Sequence, residues 1–236
     1  MALLLRGARA RGAAAREYAR APMPPPRAGW REARYCVVDL ELSGLDPHRD
    51  EIISFGALPV ADGRIRLDGA VHGLVRPTQP PAEAAIRVHG LLAADLANAP
   101  PLAQALAPLL AAMSGRVLVA HHAAVERAFL GAALRSLGVR PRGPIIDTAL
   151  LARLWLAERD GVPPSPMSLG GLARACSLPV HSPHTAIGDA LTTAQLFIAT
   201  ADHLDAVRPE TVRRLARAGA RLRQLAAYAP APPARH

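Results

Sequence analysis

Lysine is missing altogether: every one of the 28 basic residues is arginine. Together with abundant alanine, glycine and proline this reads as a GC-rich coding bias, so arginine content alone is weak evidence of function. Cysteine is nearly as scarce. Cys36 and Cys176 make no disulfide framework, and Cys36 falls in an apolar run, so free thiols in a reducing, cytoplasmic setting are expected. Aromatic residues amount to 3% of the chain, which leaves no recognisable stacking platform for a long single strand. No apolar stretch approaches the length that spans a bilayer, so no membrane is expected as a partner. Residues 2–5 are too short for a signal-peptide core.

The net charge of +9 is unevenly spread. Residues 1–34 hold eight arginines against two acids, residues 35–205 thirteen against sixteen, and residues 206–236 seven against one. A mildly acidic centre therefore lies between two basic ends. That pattern predicts a basic, proline-containing extension over 1–33, a folded domain over 34–205 and a basic helix and tail over 206–236. Basic ends beside an acidic site suit a polyanionic partner; the alternative is solvated tails.

The acidic centre has a focus. Arg34 to Gly44 reads R-Y-C-V-V-D-L-E-L-S-G. Tyr35 to Val38 is apolar and β-branched, as in a buried strand. Asp39 and Glu41 follow two apart, so in a strand both carboxylates leave the same face. Like charges so placed repel, and a hard divalent cation such as Mg²⁺ or Mn²⁺ would relieve them. The plain alternative is a solvated strand end carrying two stray acids.

Along the chain, residues 1–30 read as a frayed helix or coil with a proline-rich linker; their arginine-rich, acid-poor start also has the composition of an organelle transit peptide. Strands are predicted at 35–40, 51–60 and, beyond the Asp62-Gly63 hairpin signal, 64–75 with a break at Asp68-Gly69. A proline-rich loop covers 76–81. Then come a short helix at 91–97, an amphipathic helix at 101–113, a buried strand at 117–120, a helix ending at Gly138 and a brief strand at Ile145-Ile146. Asp147 and Ser168 are placed to cap helices, with a loop at 161–166 between them. Long helices are expected from His184 to Thr200 and from Pro209 onward. The alternation argues for an α/β or α+β domain with a mixed sheet.

Three more candidates stand at informative places. Glu126 follows the strand ending at Ala120, within H121-H-A-A-V-E126. His184 and Asp189 stand five apart, near one side of a helix start. Four carboxylates and a histidine suit two metals that activate water against a phosphodiester, with the histidine as proton acceptor. Each residue also has a bland reading: Glu126 paired with Arg127, His184 an ordinary helix-start residue, Asp189 a solvated acid.

In their order and spacing, D39-L-E41, H121-H-A-A-V-E126 and H184-x-x-x-x-D189 resemble the DEDD superfamily of 3′–5′ exonucleases. The histidine resembles that of the DEDDh branch, which includes the proofreading subunit of bacterial replicative DNA polymerase. V88-H-G90, D147-T148 and S168-L-G-G-L172 are similar too, and the resemblance covers roughly residues 34–202. It implies a ribonuclease H-like fold, a central mixed sheet flanked by helices, and release of nucleoside 5′-monophosphates from 3′ ends. It implies Asp39, Glu41 and Asp189 as ligands of a first Mg²⁺ or Mn²⁺, Asp39 and Glu126 at a second, and His184 as general base, with His181 the nearest alternative. Leu42, Ser43, Gly44, Leu45 and His89 would meet the terminal nucleotide. Single-stranded or 3′-ended DNA is the implied partner, with RNA and a polymerase subunit left open. The sequence departs from the family pattern at Leu42 (commonly threonine), His122 (asparagine), Val125 (phenylalanine) and Glu126 (aspartate). A catalytically silent nucleic-acid-binding module of the same fold is the alternative outside enzymes.

Overall fold

A computed structural model describes residues 10–161 and 165–228. Its sheet grows from β1 (Tyr35–Leu42), an eight-residue strand whose two faces serve different cores. Cys36, Val38, Leu40 and Leu42 enter one hydrophobic cluster, Tyr35 and Val37 the other. Asp39 and Glu41 continue the Tyr35–Val37 face where the strand leaves the core, as the two-residue period requires.

β2 (Ile52–Ala61) lies antiparallel to β1, with Asp39 opposite Gly56. The turn at Asp62-Gly63 has both residues at positive φ (54° and 68°), the two-residue hairpin that this pair favours. The predicted third strand is split. β3 (Arg64–Ile65) and β4 (Val71–Leu74) both pair with β2, and a 3₁₀ turn at Leu67–Gly69 separates them. β5 (Val117–Ala120) and β6 (Ile145–Asp147) add in parallel on the other side, giving the order β3-β2-β1-β5-β6. The mixed sheet flanked by helices is the expected ribonuclease H-like arrangement.

One side of the sheet is covered by α1 (Ala13–Arg20), α4 (Leu102–Met113) and α5 (Ala124–Ser136). The other is covered by α6 (Thr148–Asp160) and α8 (Ala186–Val207). Three short helices, α2 (Glu83–His89), α3 (Ala93–Leu96) and α7 (Leu169–Ala175), link these layers; α9 (Val212–Leu215) and α10 (Ala218–Tyr228) follow α8. Asp147 and Ser168 cap α6 and α7 as expected: the first accepts from the N–H groups of Ala149 and Leu150, the second from that of Gly171.

Several expectations are corrected. Helix α2 was not foreseen, because no residue of Glu83–His89 is buried and no apolar stripe marks it. The long helix begins at Ala186, not His184, since Thr185 is its N-cap and His184 adopts a left-handed φ of 62°. It runs on to Val207. Pro209 opens no helix; α9 starts after its N-cap Thr211, and α10 is separate. Of the frayed helix or coil expected before β1, the described part contains the helix α1, and it is packed rather than frayed. Ala15, Tyr18 and Ala19 of α1 are buried against the α4 side, and Trp30 enters the opposite core. There Trp30 and Tyr35 both meet Phe197 edge-on, with centroids 6.2 and 4.8 Å apart, and the Tyr35 hydroxyl donates to the Trp30 carbonyl at 2.8 Å. Residues 1–9, part of the 161–166 loop and the last eight residues lie outside the described residues.

Candidate active site

The carboxylates converge because of a glycine. A Cβ on Gly56 would lie 2.4 Å from the main-chain carbonyl of Ala186, so only a residue without a side chain lets the start of α8 approach the sheet here. Gly56 is the cross-strand partner of Asp39, and Asp189 stands in the first turn of α8. Asp39, Glu41 and Asp189 each offer an oxygen, and the three oxygens lie within 4.8 Å of one another.

His184 leads into this cluster. Its backbone N–H donates to Asp189 Oδ2 at 3.0 Å; burial raises the Asp189 pKa, and this hydrogen bond and the nearby His184 ring offset part of the rise. The loop that carries it is closed by Gly188, whose Cβ would stand 2.5 and 2.6 Å from the carbonyl oxygens of Ser182 and His181. His181, the alternative base, is engaged elsewhere. Its ring bonds Gln195 at 3.1 Å and its backbone N–H bonds Thr192.

Glu126 comes from the first turn of α5 and is 5% exposed. It stands outside the three-oxygen group but close enough to Asp39 that its charge raises the Asp39 carboxyl pKa. Burial is the larger cause of that shift, with Asp189 and Glu41 adding to it. Burial also lifts Glu126 to about 8 and Glu41 to about 7. Glu126 Oε2 is buried without a hydrogen-bond partner, and Arg127 beside it is exposed and makes no pair with it. Among the described residues, no arginine forms an ion pair with any of the four acids. Four crowded carboxyl groups, one buried and three partly buried, with raised pKa values and an orphaned oxygen are what an oxygen-ligand site for a divalent cation presents, so the residues fit the group.

Two further groups brace the site. Asp147 accepts from Ala123 N–H at 3.0 Å as well as capping α6, so it ties the start of α5 to β6; its charge also helps raise Glu126. His121 is buried. Its Nδ1 lies 3.0 Å from the Thr148 hydroxyl, which donates to the Ala120 carbonyl, and burial followed by His122 pushes its pKa down to about 3. It is therefore a neutral spacer at neutral pH, not a base. The sequence marks Asp147 as a cap and D147-T148 as part of the family resemblance, but not as a brace for α5. Gly56 went unnoticed, although glycine inside an apolar strand is the signal for a close backbone approach.

The expected nucleotide-contacting residues are placed unevenly. Leu42 is buried in the core, and Ser43 is buried with its hydroxyl on Glu51 N–H and Asp50. A Cβ on Gly44 would overlap the Asp50 carboxylate, at 2.3 Å. Leu45 is 82% exposed. His89 ends α2; its Nδ1 accepts from Leu91 N–H at 3.0 Å, its Nε2 has no partner, and its ring lies against the Leu42 main chain.

Fold and site together define a nuclease-type centre, a ribonuclease H-like sheet presenting clustered carboxylates to a cation. The family model for exonucleases (RNase_T) matches residues 36–197, and the chain belongs to that family. It is 33% identical over 168 residues to a DNA polymerase III subunit epsilon-like protein of Rhodobacter capsulatus, covering 70% of this chain and 23% of that one. It is 30% identical to the PolC-type DNA polymerase III of Thermotoga petrophila, covering 72% of this chain and 12% of that one. The chain thus spans less than a quarter of either relative. Among solved structures, exonuclease X in complex with 5′-overhanging duplex DNA superposes with a TM-score of 0.60 at 24% identity, covering 78% of this chain and 99% of that one. Escherichia coli exonuclease I in complex with a dA16 oligonucleotide gives 0.65 at 14% identity, covering 74% and 42%. The nuclease domain of 3′hExo, a DEDDh family member bound to rAMP, gives 0.59 at 16%, covering 78% and 98%.

Proposed function

We propose that this protein is a 3′–5′ exonuclease of the DEDDh branch that hydrolyses the terminal phosphodiester of DNA and releases nucleoside 5′-monophosphates. The observation that carries the reading is the meeting of Asp39, Glu41 and Asp189, with Glu126 behind them and His184 in the loop before Asp189. Asp39, Glu41 and Asp189 would hold one divalent cation, and Asp39 with Glu126 would hold a second. Bound there, Mg²⁺ or Mn²⁺ would supply an activated water and offset the charge that builds on the phosphoryl oxygens. His184 takes the proton from the attacking water as the new P–O bond forms and the bond to the 3′-oxygen of the penultimate nucleotide breaks. Exposure of His184 suits this role, since the proton must afterwards reach solvent.

DNA is favoured because the polymerase relatives and two of the structural neighbours are named for it; the rAMP-bound neighbour keeps RNA as the second reading. Free Cys36 and Cys176 fit a reducing cytoplasm. The test uses matched DNA and RNA oligonucleotides, labelled at either end, with Mg²⁺, Mn²⁺ or chelator. Metal-dependent mononucleotide release from the 3′ end, faster on DNA, is expected. His184→Ala should lose most of the rate while still binding oligonucleotide. No release from either polymer sinks the proposal, and equal rates on both sink the DNA preference.

A further inference from the structure

Arginine is abundant here, but much of it is spoken for. Arg214 and Arg221 both bind the buried Glu210, at 3.2 and 2.8 Å, and Arg221 reaches Glu158 as well. Arg31 pairs with Asp202, and Arg142 donates to the carbonyls of Tyr18 and Ala21. The basic ends expected to attract a polyanion therefore spend part of their charge holding the fold together.

A different group is unspent. Arg127, Gly131, Arg135, Arg140 and Pro141 line an open cleft of about 510 Å³ on the outer face of α5 and the loop after it. All three arginines are exposed, and no side chain of the three has an acidic partner or a hydrogen bond among the described residues. Arg127, Gly131 and Arg135 follow at four-residue steps, so they share one face of the helix. Gly131 is buried and forms the floor: a Cβ there would meet only the Arg135 guanidinium, 3.3 Å away. Arg135 thus folds back over the glycine, toward the active-site end of the helix. Pro141 walls the cleft and brings no hydrogen-bond donor.

The position of the cleft gives this charge its meaning. Arg127 directly follows Glu126, and α5 then runs away from the acids toward the 137–144 loop. Arg127 to Arg135 spans about 12 Å along the helix, and a nucleic-acid strand of duplex geometry carries a charge every ~3.4 Å. Forked guanidinium donors match phosphate oxygens, and phosphate contacts position a strand without reading its sequence.

We infer that this cleft is a phosphate-backbone subsite: the strand whose 3′ end enters the carboxylate cluster continues over α5, with phosphates of its backbone on Arg127, Arg135 and Arg140. The inference rests on the nuclease reading above and adds the path of the substrate. A strand of two nucleotides is too short to follow the helix, so the subsite acts on long substrates alone.

The experiment compares the full chain with Arg127→Gln/Arg135→Gln/Arg140→Gln and with the corresponding triple lysine variant. Binding of a fluorescent 20-nucleotide strand is measured in chelator over a salt series, and hydrolysis of that strand and of a dinucleotide is measured in Mg²⁺. Surface glutamines leave the fold unchanged, checked by thermal melting. The triple glutamine variant should bind with a salt slope smaller by about 2, at roughly 0.7 per lost phosphate on a single strand. Its KM for the long strand should rise about tenfold with kcat within twofold, and dinucleotide hydrolysis should be unchanged. Lysine should restore most of the slope. An unaltered slope in a variant whose parent cleaves both substrates overturns the subsite and leaves the nuclease reading intact. An equal loss on long strand and dinucleotide also overturns it, because that marks a general effect of net charge. A parent inert on both substrates removes both proposals.

Discussion

Asp39 carries the most conflict of any residue in the molecule. It is partly buried, its neighbours are acids, and no arginine among the described residues pairs with it. Asp39→Asn keeps the shape and removes one like charge, so the metal-free protein should melt higher, not lower, while hydrolysis falls about a thousandfold, equivalent to roughly 4 kcal/mol of transition-state stabilisation. Thermal melts in chelator beside a rate assay decide it; a lower melting temperature would mean that the site is not under charge strain. Glu126 presents a related question, since aspartate is commoner in the motif that it matches. Its burial and orphaned Oε2 place it in the site without placing it among the three close oxygens. Glu126→Gln should cost about a hundredfold or more in Mg²⁺. Glu126→Asp should lose activity as well, because the arm shortens by about 1.5 Å where Mg²⁺ demands oxygens near 2.1 Å. Rescue of the aspartate variant by Mn²⁺, and none of the glutamine variant, is the expected pattern. Wild-type rates for Glu126→Gln would make Glu126 a bystander. The sequence showed these residues because acids at fixed spacing survive as letters. It also showed that His122 departs from asparagine, and the backbone explains the tolerance: φ is 54°, a left-handed value that asparagine and histidine adopt more readily than most residues.

Elements were legible where one face is apolar and hidden where geometry, not burial, defines them. Strand β1, helix α4 and the capped starts of α6 and α7 announce themselves by periodicity and by Asp147 and Ser168. Helix α2 carries no buried residue, and the start of α8 is set by the Thr185 cap and by a left-handed His184, neither of which alters the apolar pattern. The contact that assembles the site is likewise silent in hydropathy, being the approach of α8 to β2 across Gly56. Gly56→Ala introduces one methyl group against main chain that has no room to rotate away. It should push the α8 start outward and separate Asp189 from Asp39, with a stability cost of about 1–3 kcal/mol from overpacking. Activity should drop more than stability does, and the weakened metal affinity should be visible in a Mn²⁺ titration. A variant that melts low yet titrates Mn²⁺ like the parent would show that α8 yields elsewhere and that Gly56 matters for packing alone.

At the scale of the whole molecule, both ends of the described chain are built into the nuclease core. Trp30 meets Phe197 edge-on, its backbone N–H donates to the Glu210 carbonyl, and α10 packs on α6. Charge counting could not foresee this, because an arginine that holds Glu210 and one that awaits a phosphate are the same letter. Stability of the whole should therefore be governed by the one place where the fold opposes itself. Glu41 and Glu126 titrate near 7 and 8 in the folded chain, against an ordinary value of 4.5, and Asp39 and Asp189 are raised too. A folded chain with raised carboxyl groups keeps protons that the unfolded chain has released, so stability falls as pH climbs toward the folded values. His121 acts oppositely. Its folded pKa near 3 lies below the ordinary 6.5, so its contribution is complete above about pH 6.5 and lost only on acidification. Between pH 6.5 and 8.5 the carboxylates therefore dominate. Metal-free protein should melt lower at pH 8.5 than at pH 6.5, by on the order of 5 °C. A divalent cation bound by the ionised acids replaces the missing protons, so the rise in melting temperature on adding Mg²⁺ or Mn²⁺ should be larger at pH 8.5 than at pH 6.5. Combining Asp39→Asn with Glu126→Gln should flatten both dependences. A parent protein whose melting temperature ignores pH over this range, with and without metal, would mean that the four carboxylates do not form one electrostatic unit.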